Sequence, residues 1–104
     1  MRKDNIYELI GNTPLVRSRS LVKNPDVRLY FKMEGHNPGG SVKDRPALNM
    51  IKSALDRGEI DQNSKLIEAT SGNTGIALAM IAGLFNLDIE LVMPENSTRE
   101  RVQT

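Results

Sequence analysis

The chain has 104 residues, which is enough for one small domain or for part of a larger one. Its 14 basic and 13 acidic side chains nearly cancel, which argues against a nucleic-acid or membrane partner held by charge. There are no cysteines, so disulfides and thiolate metal sites are excluded. The sequence has neither a signal-peptide pattern nor an apolar run of membrane length. We therefore expect a soluble, cytoplasmic protein.

The first predicted elements are two short strands. The turn formers Asn12 and Pro14 introduce an apolar segment at 13–18. Segment 26–34 alternates apolar and polar side chains, which is the period of a half-buried strand. A loop around Pro25 can join the two segments, so we expect an antiparallel pair.

A helix is predicted next, because apolar residues recur at helical spacing over 47–55. Its first residue is ambiguous. Ser41 can cap it, with Asp44 as the acidic partner. Alternatively Asp44 caps it, and Pro46 then falls in the opening turn. In either case Lys43 stands at the N-terminus of the helix.

The second half of the chain reads as strand, loop, helix and strand. The order is a buried strand at 65–69, a polar glycine-punctuated loop at 70–75, a buried apolar helix at 76–85 and a strand at 87–94. This βαβ order predicts a parallel strand pair with a right-handed crossover.

The last residues carry the signature of another helix start. Ser97 and Glu100 form an S-x-x-E capping box, and only four residues follow Glu100. A helix this short is not stable alone, and the predicted parallel sheet lacks its next strand. We therefore expect this chain to be a fragment of a larger protein.

Lys43 is the first candidate for chemistry. A helix N-terminus carries partial positive charge, which disfavours an ammonium group and favours the neutral amine. A neutral amine can attack a carbonyl and form a Schiff base. Gly39 and Gly40 would let a flat ligand lie close to the backbone. The alternative is an ordinary solvated lysine at a helix end.

The polar loop TSGNTG is the second candidate, because ligands bind between strand and helix in open α/β sheets. The N–H groups at the start of a helix suit a carboxylate or phosphate. Four side chains add donors, namely Thr70, Ser71, Asn73 and Thr74. The loop lacks both the G-x-G-x-x-G and the P-loop patterns, so a nucleotide-binding domain fits poorly. A plain polar helix cap is the alternative.

The only histidine, His36, has no neighbours with the spacing of metal ligands, so no metal site is predicted.

Three motifs occur in register: IGNTPLV, KMEGHNPGGSVKDR and EATSGNTGIALAM. Together they strongly resemble the N-terminal third of the cysteine synthases, or O-acetylserine sulfhydrylases, which are pyridoxal-phosphate enzymes of the tryptophan synthase β-subunit fold. The run that continues to MPEN resembles the B type most. The resemblance implies an α/β fold class, here a truncated part of a three-layer parallel-sheet domain. It places residues 1–38 in the larger cofactor domain and residues 39–104 in the smaller, substrate-carboxylate-binding domain.

The resemblance also implies roles for individual residues. Lys43 matches the lysine that forms a Schiff base with pyridoxal 5'-phosphate and then removes the substrate's Cα proton. Asn73 matches the residue that hydrogen-bonds the cofactor's ring hydroxyl oxygen. The loop that holds the substrate carboxylate is matched by Thr70, Ser71, Asn73 and Thr74.

The implied reaction is a β-replacement that makes L-cysteine from O-acetylserine and sulfide or another sulfur donor, in a homodimeric enzyme. The family's cofactor-phosphate loop is not among these residues, so we expect this chain alone to be inactive. Two other interpretations are a truncated, non-catalytic α/β binding or interaction module and a cystathionine β-synthase-type β-replacement.

Overall fold

The computed structural model describes residues 2–70 and 72–94. Short 3-10 helices precede the first strand and follow the second one. In chain order the elements are a 3-10 helix at Ile6–Leu9, β1 at Leu15–Ser18, β2 at Leu29–Lys32, a 3-10 helix at Glu34–His36, α1 at Asp44–Asp56, β3 at Lys65–Ala69, α2 at Asn73–Leu84 and β4 at Asp88–Val92. The capping box at Ser97 and Glu100 lies outside the described residues. Within those residues, no helix combines the length and apolar character needed to cross a bilayer.

The strands β1 and β2 form the predicted antiparallel pair, with Val16 opposite Phe31 and Arg17 opposite Tyr30. The expectation that β2 has one buried face is wrong for the described residues. Phe31 on one face is 42% exposed and Tyr30 on the other is 47% exposed. An isolated two-stranded ribbon has no second layer against which to bury an apolar face.

The helix α1 begins at Asp44, and Lys43 holds the position before it with helical backbone angles. Neither predicted cap is the one observed. Ser41 accepts a hydrogen bond from the Lys43 N–H at 3.1 Å, and the Asp44 carboxylate turns back to accept one from the Gly39 N–H. Pro46 lies in the opening turn, where its missing N–H has no helical partner to lose.

The strands β3 and β4 pair in parallel, with Leu66 opposite Ile89, and α2 connects them. The βαβ prediction is therefore confirmed in its order and its parallel pairing. The expectation of a buried β3 is wrong, since Ile67 is 65% exposed. Only two strands are hydrogen-bonded in this sheet among the described residues. The strand's own sequence shows which of its side chains are apolar, but burial requires other elements to pack on each face of the sheet.

The core lies where α1 and α2 pack together. Its buried members come from both helices and from the residue directly before β4; they are Ala47, Ile51, Ala77, Leu78, Ile81, Ala82 and Leu87. The first 3-10 helix joins this core through Tyr7, whose ring stacks on that of Phe85 at 5.3 Å between centroids. The helix pair thus fixes the start of α1 and the start of α2 relative to one core.

Candidate active site

Lys43 lies directly before α1, and its side chain is exposed. Its backbone N–H donates to Ser41 Oγ, which holds the turn before the helix. Among the described residues, the Lys43 ammonium group has neither a hydrogen-bond acceptor nor an acidic ion-pair partner. Its backbone is therefore anchored while its amine is available to a ligand.

The two glycines before Lys43 are each favoured over other residues for a different physical reason. A Cβ at Gly39 would overlap the carboxylate of Asp44, which is completely buried. Gly40 has φ +88°, a left-handed conformation that favours glycine, and an added Cβ there would meet nothing within 4 Å. Close approach of a flat ligand is therefore sterically open beside Gly40, whereas Gly39 serves internal packing.

Asp44 follows Lys43 directly, and its side chain is completely buried. One carboxylate oxygen, Oδ2, accepts the hydrogen bond from the Gly39 N–H. The other, Oδ1, is buried without a hydrogen-bond partner among the described residues. Buried polar atoms are normally paired, so this unpaired oxygen is unusual for a residue at a helix start.

Four polar side chains form what we call the Glu34 cluster: Thr13, Glu34, Asn37 and Arg45. The Glu34 carboxylate accepts two hydrogen bonds from Arg45, from Nε at 3.0 Å and from Nη2 at 2.8 Å. It also accepts one from Thr13 Oγ1 at 3.0 Å and one from Asn37 Nδ2 at 2.7 Å. The Arg45 hydrogen bonds are the main reason that the pKa of Glu34 falls from its ordinary value of 4.5 to about 2.

Asn37 connects this cluster to the rest of the loop and is itself buried. Its Oδ1 accepts a hydrogen bond from the Gly11 N–H at 2.7 Å, and its Nδ2 also donates to the Glu34 carbonyl at 2.8 Å. Its own carbonyl accepts from the Gly40 N–H at 2.8 Å. The segment that leads to Lys43 is thereby tied to the loop before β1.

These polar contacts are the part of the site that sequence reasoning missed. The residues concerned are Thr13, Glu34, Asn37, Asp44 and Arg45. A signal was present, because each of them lies inside one of the two motifs IGNTPLV and KMEGHNPGGSVKDR. Their hydrogen-bond partners are 3 to 32 positions away along the chain, so hydrophobic periodicity could not reveal the contacts.

The start of α2 forms the second candidate region. Thr70 follows β3, and its N–H donates to the Val92 carbonyl at 2.9 Å. Gly72 precedes the helix, and its carbonyl accepts from the Gly75 N–H at 3.0 Å. The N–H groups of Asn73 and Thr74 have no acceptor among the described residues, as is usual in a first helical turn.

The predicted side chains at this helix start differ in accessibility. Asn73 is exposed, whereas Thr70 and Thr74 are half-buried. Ser71 lies outside the described residues. Residues 2–70 and 72–94 contain no group of three or more His, Asp or Glu side chains arranged to hold a metal ion. The donors that an anion requires are thus present, and binding of a carboxylate here stays a prediction.

Comparison with known proteins gives concordant results. A family model described as pyridoxal-phosphate dependent enzyme matches residues 6–104. Cysteine synthase B of Pseudomonas syringae pv. syringae is 52% identical over 97% of this chain and 60% of its own length. Cysteine synthase B of Pseudomonas aeruginosa is 56% identical over 92% of this chain and 32% of its own length.

Solved structures agree with the sequence relatives. A hydrogen sulfide-producing enzyme from Fusobacterium nucleatum matches with a TM-score of 0.88 at 47% identity, over 99% of this chain and 34% of that one. A mutant of O-ureido-L-serine synthase matches with a TM-score of 0.89 at 38% identity, over 99% of this chain and 32% of that one.

These matches confirm the predicted α/β class of the tryptophan synthase β-like fold. The chain spans 60% of the first relative and about a third of the other three proteins. Because the family model covers nearly every residue, the chain belongs to the family of pyridoxal-phosphate dependent enzymes.

Proposed function

We propose that these residues supply the cofactor-linking lysine and the substrate-carboxylate loop of a cysteine synthase. The parent enzyme, of the relatives' length, makes L-cysteine from O-acetylserine and sulfide or another sulfur donor. The observation that carries the proposal is the 52% and 56% identity, over nearly the whole chain, to two proteins named cysteine synthase B.

The residues present fit pyridoxal phosphate. The exposed amine of Lys43 can bond to the aldehyde carbon, and the open space at Gly40 leaves room for a ring beside the backbone. When bound, the cofactor supplies an electron-accepting ring that stabilises negative charge at the substrate's Cα. With the substrate bound to the cofactor, the free amine of Lys43 would accept the proton from the substrate's Cα.

The start of α2 fits the substrate's carboxylate. Backbone N–H groups at a helix N-terminus attract an anion, and Asn73 and Thr74 lie in that first turn. Thr70 is held beside them by its hydrogen bond to Val92. We assign Thr70, Ser71, Asn73 and Thr74 to the carboxylate, with Asn73 also donating to the cofactor's ring hydroxyl oxygen.

One solved relative supports a division between binding and chemistry. O-ureido-L-serine synthase was crystallised as a lysine-to-alanine mutant with O-ureido-L-serine bound. A protein of this fold can therefore hold its amino-acid ligand after loss of a lysine. We infer that Lys43→Ala here removes turnover while the amino acid still binds at the start of α2.

We also propose the wider organisation of the parent enzyme. Residues 1–38 begin the larger cofactor domain, and residues 39–104 begin the smaller, substrate-carboxylate-binding domain, of a cytoplasmic homodimer. The β1–β2 pair exposes apolar side chains, since Leu15 is 63% and Val16 is 48% exposed. This exposure supports the proposal that the rest of the parent enzyme covers this surface. Apolar patches of this kind usually contact another domain or subunit.

The test uses the parent enzyme with pyridoxal phosphate, O-acetylserine and sulfide, and measures L-cysteine. We expect Lys43→Ala to abolish the reaction. Borohydride reduction followed by peptide mass mapping should place the added mass on Lys43. Lys52→Ala is the matched control, since Lys52 is an exposed lysine on the same helix and should retain full activity.

Three outcomes would contradict the proposal. They are labelling of another lysine with Lys43 untouched, cysteine formation by Lys43→Ala, and the absence of any labelling in the intact protein, as expected of a non-catalytic module. Product analysis with homocysteine in place of sulfide separates the cystathionine-forming alternative. Release of sulfide from cysteine tests an activity like that named for the Fusobacterium nucleatum enzyme.

A further inference from the structure

Both residues that follow Lys43 bind back to the chain before it. Asp44 accepts a hydrogen bond from the Gly39 N–H, five positions earlier. Arg45 makes its paired hydrogen bonds with Glu34, eleven positions earlier. The loop that carries Lys43 is thus closed at two consecutive residues.

The points to which these residues bind are themselves fixed. Glu34 receives further hydrogen bonds from Thr13 and from the buried Asn37, and Asn37 binds the Gly11 N–H. Thr13 Oγ1 also accepts from Arg45 Nη2 at 3.3 Å. The anchor of Arg45 is therefore a network of charge-assisted hydrogen bonds that reaches the loop before β1.

The contact of Asp44 with Gly39 and the contact of Arg45 with Glu34 both differ from an ordinary ion pair on the protein surface. Asp44 is fully buried, and the place of its carboxylate depends on the missing Cβ at Gly39. Glu34 has a side-chain exposure of 21%, and its two oxygens meet the two Arg45 nitrogens in the paired geometry that only arginine provides. The lysine between the glycine loop and these anchors is left exposed.

From this geometry, we propose that Asp44 and Arg45 are positioning residues for Lys43. They hold the backbone from which the long lysine side chain reaches the cofactor's carbon. The proposal rests on the proposed function, since it assigns the amine of Lys43 to the chemistry. Misplacement of a reacting group by about 1 Å can cost on the order of 100-fold in rate.

The experiment compares Arg45→Met and Arg45→Lys in the cofactor-loaded parent enzyme. Rates are expressed per site that borohydride labels at Lys43, so unfolded protein does not count. We expect Arg45→Met to lower kcat by about 100-fold with KM for O-acetylserine little changed. Arg45→Lys, which keeps the charge without the paired geometry, should give an intermediate kcat. The fraction of Lys43 labelled at limiting cofactor should fall in the same order.

Arg57→Met is the matched control. Arg57 makes a similar paired contact with Glu59, at 2.9 and 3.0 Å, but at the opposite end of α1. Its loss should leave kcat and labelling unchanged. For the second anchor, Asp44→Ala should lower kcat per labelled site, whereas Asp44→Asn should restore it, because an amide oxygen can still accept from Gly39.

The proposal is overturned if Arg45→Met and Arg57→Met have equal kcat per labelled site. If Arg45→Met does not fold, Arg45→Lys decides, and an unchanged kcat and labelled fraction would reject the positioning role. Failure of the proposed function has a different signature. In that case Lys43→Ala retains turnover or Lys43 is not labelled, whatever Arg45 does.

Discussion

Two glycines of α2 offer a matched test of how closely Thr70 packs over the start of that helix. A Cβ added at Gly75 would lie 2.5 Å from Thr70 Cγ2, whereas one added at Gly83 would meet nothing within 4 Å. Alanine gains about 0.5–1 kcal/mol over glycine in a helix, so Gly83→Ala should stabilise the fold. At Gly75 an overpacking cost of about 1–3 kcal/mol opposes the same gain. The difference between the variants is therefore the overpacking cost, about 1–3 kcal/mol.

Thermal unfolding of the 104-residue chain measures this difference. In a domain of this size each kcal/mol shifts Tm by roughly 4–8 °C, so Gly83→Ala should melt at least about 4 °C above Gly75→Ala. Thr70 cannot rotate away cheaply, because its β-branched side chain would bring Oγ1, now at 3.3 Å, toward the new methyl group. Thr70→Ser removes Cγ2 and should restore most of the loss in the Gly75→Ala background. Equal Tm values for both alanine variants would refute the packing argument.

Two further predictions concern charge and substrate. Because the folded pKa of Glu34 is lowered to about 2, its contribution to stability is present above its ordinary pKa of 4.5 and is lost as pH falls from there toward 2. Urea midpoints measured across this pH range should fall less steeply in Glu34→Gln, and parallel pH profiles for the two proteins would contradict the assignment. In the parent enzyme, Asn73→Ala should lower kcat/KM for O-acetylserine roughly 10- to 100-fold, since a hydrogen bond to a charged group contributes about 1.5–3 kcal/mol. Unchanged steady-state kinetics would remove Asn73 from the site.

The order of strands and helices was predictable because each element has its own local signal. Alternation at 26–34 and helical spacing at 47–55 are properties of a few adjacent residues, and both elements are present. Burial was less predictable. Phe31 and Ile67 lie in elements of the expected type but remain exposed among the described residues. A strand's own pattern shows which side chains share a face, and a second layer decides whether that face is buried.

The start of α1 shows a different limit. Local capping rules offered Ser41 and Asp44, because both can accept a hydrogen bond from helix N–H groups. The Asp44 carboxylate instead accepts the Gly39 N–H, a contact made possible by the missing side chain at Gly39. A hydrogen bond within the preceding loop thus replaces the expected cap, and Lys43 lies at the position before the helix.

The surroundings of Lys43 explain why a local rule could identify the residue but not its support. The rule used only its place at a helix start, where a cation is unusual. Its support comes from a carboxylate eleven residues before Arg45 and a hydroxyl thirty-two residues before it. The two motifs that contain these groups contact each other in the fold, so a change in either alters the same anchor. The hydrogen bonds of Arg45 with Glu34 and Thr13 therefore fix the backbone next to Lys43, while the lysine side chain remains exposed and open to a ligand.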